Sequence, residues 1–216
     1  MVSLKGPAKP GSPVLRITLS DGVQFSFSTA YLDSGVETPE PGLELTPVLA
    51  VCLRRAADCY RAERAALRFI ARAEQTRSGL TRKLTQKGLE SRHVEAVLDR
   101  LEFLEILNDR RYAEMWLKAR LRLAPGGLSP RKLLASLTGR GVAPGLAREA
   151  VKQALDAEAE AALIAAYLAA LSRKEARRRN PSGAARSGAL RFRLRAEGFS
   201  AAAIRAWEEE HDASLE

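Results

Sequence analysis

The chain has 216 residues and carries 35 lysines and arginines against 26 aspartates and glutamates, which gives a formal net charge of +9 at pH 7. Its apolar share of 46% is ordinary for a globular protein and supports a buried core. Its apolar runs are too short for the stretch of about 20 residues that a membrane helix needs. No apolar segment follows Lys5 and Lys9, so we expect no secretory signal and a soluble, cytoplasmic protein.

The positive charge is concentrated in the middle of the chain. Residues 1–59 contain 5 basic and 6 acidic side chains, residues 60–155 contain 20 and 10, and residues 156–216 contain 10 of each. A local surplus of this kind is typical of a surface that faces a polyanion. A solvated face without a partner is the alternative that the sequence leaves open.

The first 60 residues are predicted to form an arm, a hairpin and a helix. Residues 1–13 are rich in Gly, Pro, Lys and Ser, which predicts a disordered arm. Residues 14–60 then begin with two alternating apolar stretches on either side of Ser20-Asp21-Gly22, a pattern that predicts a β-hairpin. A lone hairpin is marginally stable, so we expect it to pack against another element. A proline-rich connector over residues 33–47 precedes the helix.

Residues at a spacing of three to four positions mark one face of this leading helix. The face comprises Val48, Val51, Cys52, Arg55 and Cys59. The two cysteines are seven residues apart, or about 10 Å along a helix axis, which is too far for a disulfide. We interpret them as small buried side chains in a reducing compartment.

A sequence frame occurs three times after residue 61 and carries the fold prediction. Two leucines four positions apart are followed by a glycine four positions after the second leucine, and then by an apolar residue. The leucines form a stripe on one helix face, the glycine suits a left-handed helix end, and the apolar residue packs back on the helix. The three copies are Leu80, Leu84, Gly88, Leu89; Leu133, Leu137, Gly141, Val142; and Leu190, Leu194, Gly198, Phe199.

Each frame has an earlier helix before it and a later helix after it. The earlier helices are predicted at about 62–75 (Leu67, Ile70, Ala71), 109–122 (Tyr112, Met115, Trp116, Ala119) and 157–172 (Leu163, Ala166, Tyr167, Ala170). Asn108 is predicted to cap the second of these helices, and Ser129-Pro130 to open the next frame helix. The later helices are predicted to start with cap chemistry at Ser91 and Ser200 and with Pro144 at a first-turn position. Trp207 is predicted to lie on the apolar face of the last helix.

The fold class is therefore mainly α: three tandem three-helix repeats that form an elongated curved solenoid, preceded by a small N-terminal β-hairpin. The predicted repeats cover residues 61–107, 108–156 and 157–216, the last with an acidic tail. The loop from Ser172 to Gly188 is expected to be mobile.

Catalytic motifs are missing from the sequence. His93 and His211 have no partner at metal-binding spacing, neither cysteine forms a C-x-x-C pair, and no phosphate-binding glycine motif is present. We therefore expect a protein that is not an enzyme and that holds no cofactor or metal.

The candidate binding residues are basic side chains around the frame helices, each of which alone is more often a solvated side chain than a contact. Few aromatic residues lie between them, which argues against a platform for stacking single-stranded bases. The predicted set is Arg72, Arg77, Arg82, Lys83, Arg110, Arg111, Lys118, Arg120, Arg122, Arg131, Lys132 and Arg140.

Residues 65–155 resemble the RecX family, the bacterial regulators of the RecA recombinase. The resemblance rests on Leu107-Asn108-Asp109-Arg110-Arg111-Tyr112-Ala113 with Trp116 and Arg120, and on Gly127 through Leu133, Leu137 and Gly139 to Val142. Arg77-Ser78 and Lys83-Leu84 through Lys87-Gly88 also match, and residues 158–211 match loosely. Asn108 stands where an aspartate is usual, and Gly79 and Ser136 replace a glutamate.

The resemblance implies a monomer that lies along the groove of a RecA–DNA filament and restrains filament growth, strand exchange and coprotease activity. Its partners would be RecA and single- or double-stranded DNA, the latter without sequence preference, and no membrane. Two alternatives stay open. A duplex-binding transcription regulator would use the helix, Gly88 and helix segment as a helix-turn-helix, and a pure helical scaffold would have no salt-sensitive DNA affinity.

Overall fold

The computed structural model describes residues 2–5, 13–19, 22–36, 38–39, 45–123, 126–176 and 187–212. The chain divides into two compact units, Met1–Asn108 and Asp109–Glu216, and each unit has its own hydrophobic core. The first unit contains β1 (Val2–Lys5), β2 (Val14–Leu19), β3 (Gln24–Ser28), a 3-10 helix (Thr29–Tyr31), α1 (Pro47–Ile70), α2 (Arg77–Gln86) and α3 (Ser91–Phe103). The second contains α4 (Asp109–Leu123), α5 (Pro130–Gly139), α6 (Pro144–Ala154), α7 (Ala157–Ala176), α8 (Ser187–Ala196) and α9 (Ala201–Asp212).

The mainly helical fold with an N-terminal hairpin is confirmed, and a third strand, β1, pairs with this hairpin. β2 and β3 pair antiparallel with Ile17 opposite Phe25, as the alternating pattern predicts. β1 pairs antiparallel with the other edge of β2, with Val2 opposite Leu19. The prediction of a disordered arm over residues 1–13 is therefore wrong for Val2–Lys5, because these residues satisfy the backbone groups that β2 would leave unpaired. Residues 6–12, and Ser20 and Asp21 of the predicted turn, lie outside the described residues.

The sheet packs against α1, which meets the expectation that the hairpin leans on another element. Ile17 and Phe27 are fully buried with Leu53 and Ala56 of α1 in the first core. α1 is one continuous helix of 24 residues, capped by the Thr46 hydroxyl and opened by Pro47. The sequence predicts a boundary at residue 61 between a leading helix and the first repeat helix, but α1 runs through this position without a break. The first repeat helix is predicted to reach residue 75, whereas α1 ends at Ile70.

The buried face of α1 differs from the predicted one. Val48, Val51 and Leu67 are exposed, whereas Cys59 is buried and Cys52 is half-buried, both as free thiols. Small residues face the core instead, because the sheet and α3 approach α1 closely. These residues are Ala56, Cys59, Ala62, Ala65 and Ala66.

The frame glycines end their helices as predicted. At the end of α2, the Leu89 N–H donates to the Leu84 carbonyl (3.3 Å) and the Gly88 N–H donates to Thr85 (2.9 Å), with Gly88 at φ +76°. This pair of bonds is the Schellman motif. The same bonds end α5 at Gly141 and Val142 and α8 at Gly198 and Phe199.

The helix starts agree with the sequence in most cases. Ser129 and Ser200 accept hydrogen bonds from Lys132 N–H and Ala203 N–H, and Pro144 opens α6. Ser91 is not a cap, because α3 begins at Ser91 and Glu90 occupies the capping position without a side-chain hydrogen bond. Thr76, which the sequence analysis did not identify, caps α2 by accepting from Gly79 N–H (3.0 Å).

The second unit buries a core that repeats 2 and 3 share. Ala113 and Leu117 of α4 are fully buried, whereas the predicted core residue Met115 is 54% exposed and Ala119 is exposed. Tyr112, Trp116 and Trp207 are half-buried and pack against the same core. Residues 177–186, which hold most of the loop expected to be mobile, lie outside the described residues.

Candidate binding surfaces

The four predicted basic residues of the first unit differ in their surroundings. Arg72 is exposed just after α1, and Arg82 is exposed on α2. Arg77 is held by two carboxylates, at 2.7 Å from Asp99 and 2.6 Å from Glu102. Burial would lower the pKa of Arg77, but the hydrogen bond to Asp99 and the charge of Glu102 raise it above its usual value. Arg77 therefore joins α2 to α3 and is poorly placed to bind a partner.

Lys83 and its neighbour Lys87 share one aromatic ring. The Lys83 and Lys87 ammonium groups lie 5.3 Å and 5.6 Å from the centroid of the Phe69 ring, within cation–π range. Lys83 also donates to the Gln75 side-chain oxygen (2.6 Å). Phe69, near the end of α1, thus holds two positive charges from the end of α2 and its C-cap side by side.

In the second unit, the predicted arginines at the start of α4 both interact with other groups of the protein. The Arg110 guanidinium lies 2.9 Å from Glu149 of α6. Both side chains are about half exposed or more (45% and 61%), so this pair contributes little stability and can open at small cost. Arg111 is half-buried and also interacts within the protein.

The second half of α4 presents basic side chains to solvent. Lys118, Arg120 and Arg122 are all exposed. Lys118 and Arg122 flank a groove of about 600 Å³ between α4 and α6. One acid, Glu114, lies in the same groove, so its wall remains positive overall.

Lys132 and Arg140, at the two ends of α5, are exposed cations that aromatic rings hold in place. The Lys132 ammonium donates to the Gly127 carbonyl (2.6 Å) and lies 5.4 Å from the Tyr167 ring centroid. The Arg140 guanidinium donates to the Ser136 carbonyl (2.9 Å) and lies 4.7 Å from the Trp116 ring centroid. These contacts restrict both side chains and reduce the entropy that a binding partner must remove.

Arg131 borders a second groove, of about 550 Å³, where repeat 2 meets repeat 3. Leu134, Val151 and Leu155 form apolar parts of its wall, and two further cations, Arg148 and Lys152, stand exposed beside Arg131. The predicted set omits these two cations, which lie on α6. The groove joins an apolar wall to three positive charges and one buried acid, Glu160.

Other kinds of site find little support in the part of the chain that the structure describes. No group of three or more His, Cys, Asp or Glu side chains is arranged to hold a metal ion there. His93 is buried in the first core. No described helix has the length and apolar character needed to span a bilayer.

Residues 62–101, which cover the end of α1, α2 and α3, match the model of the first three-helix domain of RecX. The chain is 36% identical over 125 residues to the regulatory protein RecX of Treponema pallidum (strain Nichols). The aligned residues cover 58% of this chain and 74% of the relative. The chain belongs to the RecX family. A further RecX, from Thermobifida fusca (strain YX), is 39% identical over 105 residues, which span 56% of that protein.

Solved RecX structures share the fold. A crystal structure of regulatory protein RecX aligns with a TM-score of 0.71 at 18% identity and covers 97% of this chain and 100% of that one. A RecX from Lactobacillus salivarius aligns with a TM-score of 0.53 at 22% identity, over 72% of this chain and 97% of that one. At these identities the likeness supports the architecture alone.

Most residues of the RecX-like segment around residue 110 serve the fold. Leu107 is buried in the first core, Ala113 in the second, and Asp109 is the first residue of α4, where a carboxylate favours the helix dipole. Of this segment, Arg110 and Arg120 are exposed, and Arg110 pairs with Glu149 at the surface. The residues that make this segment resemble the RecX family therefore mainly build the helix and the two cores.

A row of cations on α1 lies largely outside the predicted basic set. Arg61, Arg64 and Arg68 are exposed, and they continue to Arg72 at a spacing of three to four residues. The spacing is visible in the sequence, and the predicted basic set includes Arg72 of this row but not Arg61, Arg64 or Arg68.

Proposed function

We propose that this RecX-family protein binds the filament that RecA forms on DNA and restrains its recombinase and coprotease activities in the cytoplasm. The observation that carries the proposal is the 36% identity across three quarters of a relative that is named a regulatory protein RecX. Both units also present exposed basic side chains, which suits a partner that combines DNA phosphates with acidic protein surface.

The proposed contact surface is the predicted basic set without Arg77, whose guanidinium is committed to Asp99 and Glu102. Lys132 and Arg140 are its best-defined members, because aromatic rings and backbone carbonyls fix their positions. Because contact occurs at many such sites, each site can contribute little to the binding free energy while the total is substantial.

The test is inhibition of DNA strand exchange by RecA from the same organism. Wild-type protein at stoichiometric amounts should slow the reaction. The double variant Lys132→Glu, Arg140→Glu should raise the half-inhibitory concentration by roughly tenfold or more, because like charges oppose a phosphate or carboxylate partner.

The matched control is Arg195→Glu, Arg205→Glu, which makes the same charge change at exposed positions of α8 and α9 outside the proposed surface. It should inhibit like the wild type. Equal weakening by the two double variants would remove Lys132 and Arg140 from the surface. Absence of any RecA effect, with a sequence-specific footprint on naked duplex DNA, would instead favour a transcription regulator.

A further inference from the structure

A groove on the outer face of α1 concentrates positive charge in the first unit. Two adjoining clefts, of about 340 and 370 Å³, share Arg61 and Arg68 as lining residues. Tyr60 and Arg64 line the first cleft, and Lys87 and Gly88 line the second. The groove therefore continues from α1 to the end of α2 within one compact unit.

The α1 and α2 segments that line this groove belong to a strongly basic stretch of the chain. Residues 57–89 contain three acids, Asp58, Glu63 and Glu74, against eight basic side chains (Arg61, Arg64, Arg68, Arg72, Arg77, Arg82, Lys83 and Lys87). In the described part of the chain, neither Arg64 nor Arg68 forms an ion pair. Asp58 is the acid that lines the groove, and it lies 3.2 Å from Arg61. Because Arg61 is 68% exposed, this pair is weak and leaves the guanidinium available.

The positions of the cations are partly fixed before a partner binds. The Arg64 guanidinium lies 6.0 Å from the Tyr60 ring centroid, and Lys87 lies 5.6 Å from that of Phe69. Arg64 lies over Tyr60, so this ring is poorly placed to stack on a nucleic-acid base. A surface that offers guanidinium and ammonium groups but few open aromatic faces suits the backbone of a polyanion rather than its bases.

The dimensions also fit a nucleic-acid strand. Arg61 and Arg68 are separated by seven residues, or about 10 Å along the axis of α1. One strand of DNA carries a phosphate every 3.4 Å or so along its axis, so the groove spans about three phosphates. Guanidinium groups bind phosphate oxygens through paired N–H donors.

We propose that the groove formed by Arg61, Arg64, Arg68 and Lys87 is a binding site for the phosphodiester backbone of DNA. This site lies outside the basic set that the sequence predicted, and it acts on naked DNA. The inference therefore stands or fails independently of the RecA regulation proposed above.

The experiment measures binding of the full chain to a fluorescent 30-nucleotide oligo(dT) and to a 30-base-pair duplex, by anisotropy across a series of salt concentrations. The variant is Arg64→Gln, Arg68→Gln, Lys87→Gln, because glutamine preserves helix propensity. Losing three phosphate contacts should reduce the slope of log affinity against log salt by about 2 for the single strand and about 3 for the duplex. Affinity at low salt should fall roughly tenfold or more on at least one of the two probes.

The matched control is Lys174→Gln, Arg195→Gln, Arg205→Gln, which removes the same charge from exposed positions of the second unit. It should leave the slope within experimental error of the wild-type slope. Circular dichroism should show the same helix content for all three proteins.

Three results would overturn the assignment. They are a wild-type protein that binds neither probe, an unchanged slope in the groove variant, and an equal loss in the control. A groove variant that keeps DNA affinity but loses affinity for the RecA filament would assign the groove to an acidic protein surface instead.

Discussion

Glu160 is a buried carboxylate that joins two helices of the second unit. It lies in the first turn of α7 and is 7% exposed. Its oxygens accept hydrogen bonds from the backbone N–H (2.6 Å) and the hydroxyl (2.7 Å) of Ser200, the residue that caps α9. The contact thus fixes the start of α9 against the start of α7.

Replacing this carboxylate should destabilise the protein measurably. Glu160→Ala leaves the Ser200 donors without their acceptor, and we expect it to lower the free energy of unfolding by about 1–3 kcal/mol in urea denaturation. The control is Glu158→Ala, which removes an exposed carboxylate from the same helix turn and should cost about 0.3–1 kcal/mol. Equal losses in the two variants would show that the Ser200 contact adds no stability.

At the same scale, the sequence predicted which residues are basic but not which of them are free to bind. The partners of Arg77 are 22 and 25 residues away, and the partner of Arg110 is 39 residues away. A helical spacing rule reaches only three or four residues, so these pairs become visible only when the helices pack. The aromatic supports of Lys132 and Arg140 are hidden from the sequence for the same reason.

At the scale of the helix, the three frame glycines are the features that the sequence predicted best. Gly88, Gly141 and Gly198 all adopt positive φ, and an apolar residue after each is buried. The prediction succeeded because this helix end needs a residue without a Cβ, followed by an apolar contact, and both requirements are local.

A pair of glycine variants tests this conformational requirement. Gly88→Ala should lower the free energy of unfolding by about 1–2 kcal/mol, because φ is +76° although a Cβ would meet no atom within 4 Å. Gly139→Ala, at the last helical position of α5 and equally open, should raise it by about 0.5–1 kcal/mol. Thermal unfolding of both variants gives the measurement, and a loss of similar size in both would contradict the interpretation.

The helix faces were predicted less well than the helix ends. Val48, Val51, Leu67 and Met115 are apolar but exposed, whereas alanines of α1 are buried. Hydrophobicity alone ranks alanine below valine or leucine, but close packing of β3 and α3 on α1 requires small side chains. The third strand was missed because Val2–Lys5 is short and is separated from β2 by glycines and prolines.

At the scale of the whole molecule, positive charge occurs on exposed positions of both units. The family was predictable because the repeated frame, the order of the helices and the local motifs all match the RecX family across about 90 residues. The α1 groove was not, because it combines side chains of two helices, with Arg68 and Lys87 nineteen residues apart in the sequence and side by side in the structure.

Co-sedimentation with RecA filaments on single-stranded DNA tests the central claim most directly. With nucleotide present, the protein should pellet with the filament at saturating stoichiometry, and added salt should reduce the bound fraction steeply. A protein that stays in the supernatant with RecA filaments, at concentrations where it pellets with DNA alone, would contradict the account.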